Sequence, residues 1–196
     1  MTAADTSAVA PPSTHFPDAA GFQVSRIRAL RGPNYWRLAP VVACDVRQGP
    51  FEGLRTSDIP DFTSRLLREV PSLAEHTCSS GGEEGRFVDR VTEGTSLPHV
   101  LEHLTLELQT LGGTFVSFGR VARSGDPDVW WVIVAYEEEE LGVESMRGAV
   151  DLLEAILRGE PFDTPELITS LQDVFEESRL GPSTACIVDR SGATVS

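Results

Sequence analysis

The segment LPHVLEHLTLELQ, Leu97 to Gln109, holds two histidines four residues apart, with a glutamate directly before the second. In a helix that turns by about 100° per residue, His99, Glu102 and His103 share one side, and the two histidine Cβ atoms lie roughly 6 Å apart. Two imidazoles at this spacing can bind one Zn²⁺ ion. A carboxylate outside the coordination sphere can then take a proton from water. The pattern predicts a zinc hydrolase with His99 and His103 as ligands and Glu102 as the general base.

A catalytic zinc site needs a third protein ligand, and the sequence offers several. Glu107 lies one turn beyond His103 and is the first choice. The other candidates are His76, Glu75 and the acids of 137–139. Cys78 and His76 are a weak alternative as a nucleophile pair, because they are only two residues apart on one loop.

The same helix also has an ordinary interpretation. Its other side is apolar, with Val100, Leu101, Leu104, Leu108 and Leu111. Such a helix packs its apolar stripe on the core and exposes the opposite side to water. The histidines and glutamates would then belong to a solvated face without metal. The spacing alone leaves both interpretations open.

The surrounding elements predict an α+β fold, a single domain in which a mixed or antiparallel sheet packs against helices. Alternation or β-branched residues predict strands at 22–30, 39–49, 114–121 and 129–137, the last of these central because it is almost wholly apolar. Helical spacing predicts helices at 62–70, 96–111, 143–159 and from Thr164 as N-cap onward. The leader 1–22, rich in Ala and Pro, is predicted to be disordered.

Composition restricts the class of protein. The 196 residues carry a net charge of −14, which argues against nucleic acid or an anionic membrane as a partner. No apolar run is long enough to predict a membrane span. The three widely spaced cysteines, Cys44, Cys78 and Cys186, predict reduced thiols in a cytoplasmic protein.

Three further residues are candidates for substrate binding. Arg31 and Arg120 each stand beside a glycine and could bind a carboxylate, although a structural role for an exposed arginine is equally compatible with the sequence. Glu138 lies in the run EEEE at 137–140, which follows the central strand. That run is either a solvated strand end or a rim that binds cations.

Several motifs together resemble a known family. They occur in one order along the chain: ALRGPNYW, PSLAEHTCS, EGTSLPHVLEHLTLELQ, FGR and GAVDLLEAI. This series resembles the N-terminal domain of cyanophycin synthetases over residues 25–171, and LGPSTACIVD at 180–189 resembles the start of the ATP-grasp domain that follows there. Pro98 departs from the family, which usually has a small residue before the first histidine.

The resemblance implies what the chain would do. The family uses ATP to make cyanophycin, an aspartate polymer with arginine side branches, and both ligase sites lie in ATP-grasp and Mur-ligase-like domains that this sequence lacks. We therefore expect no ATP binding and no ligase activity. The resemblance implies that this domain binds cyanophycin or a related Arg-rich isopeptide, with a zinc-dependent, peptidase-like site at His99, Glu102 and His103 that cuts polymer into primers.

The same resemblance allows an alternative function and predicts the domain boundaries. The alternative is a non-catalytic module that tethers polymer or docks on a separate ATP-grasp ligase, with further copies of the chain as another partner. The expected domains are a leader at 1–22, the family domain at 23–162, and a C-terminal helix with an ATP-grasp remnant at 163–196.

Overall fold

A computed structural model describes residues 21–78 and 84–180. Within them, four strands form one antiparallel sheet in the order β1-β2-β4-β3. The strands are β1 (Gln23–Leu30), β2 (Val41–Arg47), β3 (Gly119–Arg123) and β4 (Trp130–Ala135). The predicted α+β class is confirmed, and β4 lies inside the sheet, as its apolar run predicts.

Five helices are described, and those that build the core pack on one face of this sheet. They are α1 (Phe62–Glu69), α2 (Arg86–Glu93), α3 (Leu97–Gly112), α4 (Glu139–Arg158) and α5 (Thr164–Leu180). Val42, Cys44 and Val46 of β2 point into this core, which α3 and α4 fill with leucines. The sheet's other face carries a smaller apolar cluster around Val41, Ala43 and Ile133.

Helix α3 lies at the centre of the domain rather than on its surface. It contacts α4, α5, β3 and β4, and 13 of its 16 residues are buried. Glu102, His103 and Glu107 are 9%, 4% and 5% exposed. The interpretation of this side as a solvated helix face is therefore wrong, because other elements cover both sides of the helix.

The third strand begins later than predicted. Residues 114–118 are not strand, and β3 starts at Gly119. The backbone N–H groups of Gly113 and Thr114 both donate to the Gln109 carbonyl oxygen and so still close the end of α3. Gly113 and Thr114 thus end the helix rather than pair in the sheet, whereas the Phe118 carbonyl oxygen already accepts the Ala135 N–H of β4 at 2.9 Å.

The acidic run 137–140 is not a strand end. β4 stops at Ala135, and α4 begins at Glu139, four residues before the predicted start. Glu138 occupies the N-cap position, and its carbonyl oxygen accepts the Gly142 N–H at 2.9 Å. Carboxylates are favourable at this end of a helix because the helix dipole places positive charge there.

The start of α5 also differs by one residue. Thr164 is its first helical residue, and the Asp163 side chain, rather than Thr164, accepts the Glu166 N–H at 3.0 Å. The Thr164 hydroxyl instead donates to Glu69 of α1 at 2.9 Å. α5 packs on α3 and α4 and buries Leu171.

The remaining predictions concern termini, thiols and membrane spans. The predicted leader up to residue 20 and the ATP-grasp-like tail from residue 181, with Cys186, lie outside the described residues. Cys44 is a free thiol buried in the core. Among the described helices, none is long and apolar enough to cross a membrane.

Candidate metal centre

Helix α3 places the two histidines of the motif at its N-terminal end. Ser96 is the N-cap, and Pro98 lies in the first turn, where its missing N–H costs no helical hydrogen bond. His99 and His103 follow one turn apart, with their ring centroids 4.9 Å from each other. The predicted shared side of the helix is therefore confirmed for both imidazoles.

Cys78 completes a group with these histidines. It follows the short 3₁₀ helix Pro71–Glu75 and is 3% exposed. Its Sγ lies 3.6 Å from His99 Nε2. One ligand atom from each of Cys78, His99 and His103 falls within 4.8 Å of the others, and in the described part of the chain this is the group of His, Cys and carboxylate side chains that could hold a metal ion.

Phe87 of α2 fixes the planes of the imidazoles. Its fully buried ring stacks on His103, with centroids 4.0 Å apart and planes at 20°, and meets His99 edge-on at 5.8 Å. α2 is held over the site by the Phe87 N–H, which donates to the His76 carbonyl oxygen at 3.3 Å. Packing of this kind keeps ligand rings in one orientation before a metal binds.

Each imidazole has a hydrogen-bond partner at Nδ1, the ring nitrogen nearer the backbone. Thr95 Oγ1 lies 2.8 Å from His99 Nδ1, and His76 Nδ1 lies 3.1 Å from His103 Nδ1. In both rings Nε2 takes no part in these two contacts and is the nitrogen that could bind a metal. Metal-binding histidines commonly use one nitrogen for the metal and the other for such a partner.

Both histidines are held neutral. Burial, with a smaller effect of the Arg90 charge, lowers the pKa of His99 from 6.5 to about 4. Burial, together with His99, His76 and Arg90, lowers the pKa of His103 to about 2. A neutral imidazole has the lone pair that a metal ligand requires.

Glu102, the proposed general base, is not a member of this group. Its carboxyl packs against Gly119 at the start of β3, where a Cβ atom would lie 2.8 Å from Glu102 Cδ. Glycine in the motif FGR therefore makes room for this side chain. Burial raises the pKa of Glu102 from 4.5 to about 7, the range in which a carboxyl group can both accept and donate a proton near neutral pH.

Glu107, the first choice for a third ligand, has another partner. Its Oε2 lies 2.6 Å from His76 Nε2. Burial would raise the pKa of Glu107, but hydrogen bonds from His76 and Ser72 outweigh it and hold the pKa below its usual value. Glu107 and His76 are thus joined to the group through His103, whereas the group itself contains Cys78.

The predicted substrate-binding residues contact other parts of the chain. Arg31 forms an ion pair with Glu139 at 2.5 Å, and the charge and hydrogen bonds of Glu139 raise the pKa of its guanidinium. The Arg120 guanidinium lies 5.8 Å from the centre of the Trp36 ring. Glu138 caps α4, as described above. Their proposed contact with substrate stays a prediction.

Sequence reasoning missed three parts of this centre. Cys78 was considered only with His76, and neither Phe87 nor Thr95 was considered. Thr95 carried a local signal, since a hydroxyl four residues before His99 lies at the same end of the helix. Cys78 and Phe87 carried none, because their contacts depend on how residues distant in the sequence pack on α3.

One consequence of the Glu102 environment can be tested on the metal-free chain. A carboxyl whose pKa is higher in the folded state stabilises the fold below pH 4.5 and loses that contribution as pH rises to about 7. Glu102→Gln, which imitates the neutral carboxyl, should therefore raise the free energy of unfolding relative to wild type by on the order of 2 kcal/mol more at pH 8 than at pH 5. Urea unfolding in the presence of a chelator measures this difference.

The free energy of unfolding at acidic pH provides the control for that measurement. The lowered pKa of His99 means that stability falls as pH drops from 6.5 towards 4, because the unfolded imidazole takes up a proton that the buried one does not. The titration of Glu102 overlaps this loss above pH 4.5, but below pH 4.5 its carboxyl is protonated in both the folded and the unfolded chain. In that acid range Glu102→Gln and wild type should lose stability in parallel. An equal effect of the substitution at both pH values would contradict the assigned burial of an ionisable Glu102.

Comparison with known sequences places this centre in a family. The profile of the Cyanophycin synthase-like N-terminal domain family matches residues 43–158. The cyanophycin synthetase of Trichormus variabilis is 37% identical over 171 residues, which are 85% of this chain and 19% of that protein. That of Synechocystis sp. is 35% identical over 176 residues, 87% of this chain and 20% of that protein.

The chain thus spans about a fifth of the length of these relatives. The matched region runs from β2 to the end of α4 and includes Cys78, both histidines of α3, and Glu102. On this evidence the chain belongs to the family of cyanophycin synthase-like N-terminal domains.

Proposed function

We propose that this domain is a zinc-dependent hydrolase that cuts amide bonds of cyanophycin or a related Arg-rich isopeptide. Cys78, His99 and His103 would hold the metal, and Glu102 would move the proton. The observation that carries the proposal is the buried group of one thiol and two neutral imidazoles, with ligand atoms within 4.8 Å of one another.

The donor set fits zinc. One thiolate and two imidazoles are borderline-soft ligands that suit Zn²⁺ better than Ca²⁺ or Mg²⁺, which prefer oxygen ligands. Arg90 Nη1 lies 3.5 Å from Cys78 Sγ and can donate a hydrogen bond to it. Structural zinc sites usually have four protein ligands, whereas catalytic sites have three and an open position. Within residues 21–78 and 84–180, the group has three members, which supports the catalytic kind.

The protein's own contribution is to hold the reactants and to transfer a proton. Bound Zn²⁺ supplies Lewis-acid activation of water and of the amide carbonyl. Glu102, on the same side of α3 as the histidines, accepts a proton from the attacking water at a carboxylate oxygen and donates it to the leaving amine. Its pKa of about 7 suits both steps, and burial against Gly119 keeps bulk water away from the carboxyl.

The substrate follows from the family and from charge. The relatives are named cyanophycin synthetases, and their product carries a guanidinium group on each side branch. This chain has 30 acidic and 16 basic side chains, a balance that attracts a guanidinium-rich polymer. The proposed substrate is therefore that polymer, cut within its backbone to give shorter chains.

An observation on the opposite face of the sheet favours a second candidate, a non-catalytic module that tethers polymer. Tyr35, Trp36 and Trp131 line an open groove of about 300 Å³, and Tyr35 is 89% exposed. Guanidinium groups stack well on aromatic rings. An arginine–aromatic contact of this kind occurs within the chain, where the Arg37 guanidinium lies 4.6 Å from the centre of the Phe118 ring.

Metal content and cleavage separate the two candidates. We expect the purified chain to contain or take up close to one equivalent of Zn²⁺, measured by elemental mass spectrometry, and to shorten cyanophycin, with the new chain ends detected by mass spectrometry. A chelator should stop cleavage, and added Zn²⁺ should restore it. A chain that binds cyanophycin but takes up no zinc would exclude the hydrolase and favour the tether.

A further inference from the structure

We infer that Glu107 and His76 are positioning residues, which fix the tautomer of His103 so that its Nε2 lone pair faces the metal position. The positioning role rests on the metal site proposed above, since it has a function only if His103 binds a metal. The hydrogen-bond chain that carries it is a property of the folded protein without metal.

Three side chains form this chain of contacts. Glu107 and His103 lie one turn apart on α3, and His76 follows the 3₁₀ helix Pro71–Glu75. Glu107 Oε2 lies 2.6 Å from His76 Nε2, and His76 Nδ1 lies 3.1 Å from His103 Nδ1. The side chains of His76 and Glu107 are 19% and 7% exposed, so water competes little for these bonds.

The direction of each bond follows from the groups involved. An ionised carboxylate can only accept, so His76 Nε2 must carry the proton in its bond with Glu107. With one ring proton, placed at Nε2 by this bond, His76 has its lone pair at Nδ1. Because two lone pairs cannot form a hydrogen bond, His103 must donate from Nδ1, and its own lone pair is left at Nε2.

The remaining contacts hold this arrangement in place. The stack of Phe87 on His103 opposes rotation of the ring that would exchange its two nitrogens. His99 is arranged in the same way, since Thr95 contacts its Nδ1 and its Nε2 faces Cys78. In both histidines a partner thus engages Nδ1, and the two partners are different.

Nuclear magnetic resonance of the metal-free chain tests the tautomers directly. With ¹⁵N-labelled histidine at about pH 8, where an imidazole of ordinary pKa is neutral, two-bond ¹H–¹⁵N correlations report which nitrogen carries the proton. We expect the proton on Nε2 of His76 and on Nδ1 of His103. A wild-type His103 that carries its proton on Nε2 would overturn the inference.

Two substitutions of Glu107 show whether it causes this pattern. In Glu107→Ala, the His103 signals should move to the averaged positions of two exchanging tautomers. In Glu107→Gln, the amide oxygen still accepts from His76, so the wild-type pattern should remain. Glu177→Ala, which removes an exposed acid from α5, is the control for charge. An unchanged His103 pattern in Glu107→Ala would also overturn the inference.

Zinc affinity measured on the same variants links the tautomer to the site. Glu107→Ala should bind Zn²⁺ about 10- to 100-fold more weakly, as is typical when an outer partner of a ligand is lost, and Glu107→Gln should stay close to wild type. Equal zinc affinity in all three proteins would overturn the positioning role. Absence of zinc binding in wild type, with the expected tautomers present, would instead refute the proposed metal site.

Discussion

Replacing His99 by alanine is expected to weaken zinc binding by more than about 100-fold, a larger loss than removal of an outer partner causes. The ring is one of the three proposed ligands, and its Nε2 lies 3.6 Å from Cys78 Sγ. With one imidazole gone, the remaining thiol and imidazole cannot satisfy the coordination that zinc requires. Competition with a chromophoric chelator gives the affinity.

Cysteine variants provide a matched pair for this experiment. Cys78→Ala should lose zinc as His99→Ala does, because it removes the thiolate from the group. Cys44→Ala removes the other described thiol, which is buried beside Met146 at 3.6 Å, in the core of the sheet. It should keep zinc affinity, although it costs some stability through the lost packing.

Cobalt gives a second, spectroscopic result for the same variants. Co²⁺ bound in place of Zn²⁺ shows a charge-transfer band when a thiolate is a ligand. Wild type and Cys44→Ala should show the band, and Cys78→Ala should not. A wild-type zinc affinity in His99→Ala, or a thiolate band that survives in Cys78→Ala, would mean that other residues hold the metal.

Much of the fold was predictable because local patterns and tertiary packing agree. The apolar run at 130–136 predicted an inner strand, and β4 pairs with β2 on one side and β3 on the other. Helix α3 was predicted from its spacing and from the glycines that end it. The errors fall at the ends of elements, in polar segments. Glu138, for example, was assigned to the end of a strand but occupies the N-cap position of α4.

Only the relative positions of side chains on the same helix could be predicted for the site. The spacing of His99 and His103 follows from helix geometry, so their contact could be predicted. The burial of Glu102, 9% exposed, could not, because it depends on Gly119 from a distant strand. Cys78 was missed for the same reason, since its contact with His99 joins residues 21 positions apart in the sequence.

Glu102→Gln is expected to retain zinc and lose cleavage, by on the order of 10²- to 10⁴-fold in rate, the usual contribution of a general acid–base group. The amide has nearly the shape of the carboxyl but cannot take a proton from water. The environment already keeps the carboxyl neutral below about pH 7, so the pocket should accept the amide without loss of fold. Zinc content and cyanophycin cleavage are measured on the same sample.

The combination of results matters more than the loss of rate alone. His99→Ala should lose both zinc and cleavage, and Glu102→Gln should lose cleavage alone, while polymer binding in a pull-down with cyanophycin should survive in both. If Glu102→Gln cleaved at the wild-type rate with zinc bound, Glu102 would be a buried structural carboxyl that packs on Gly119. The proton would then have to move through another group, which would contradict the role assigned to the glutamate of this motif.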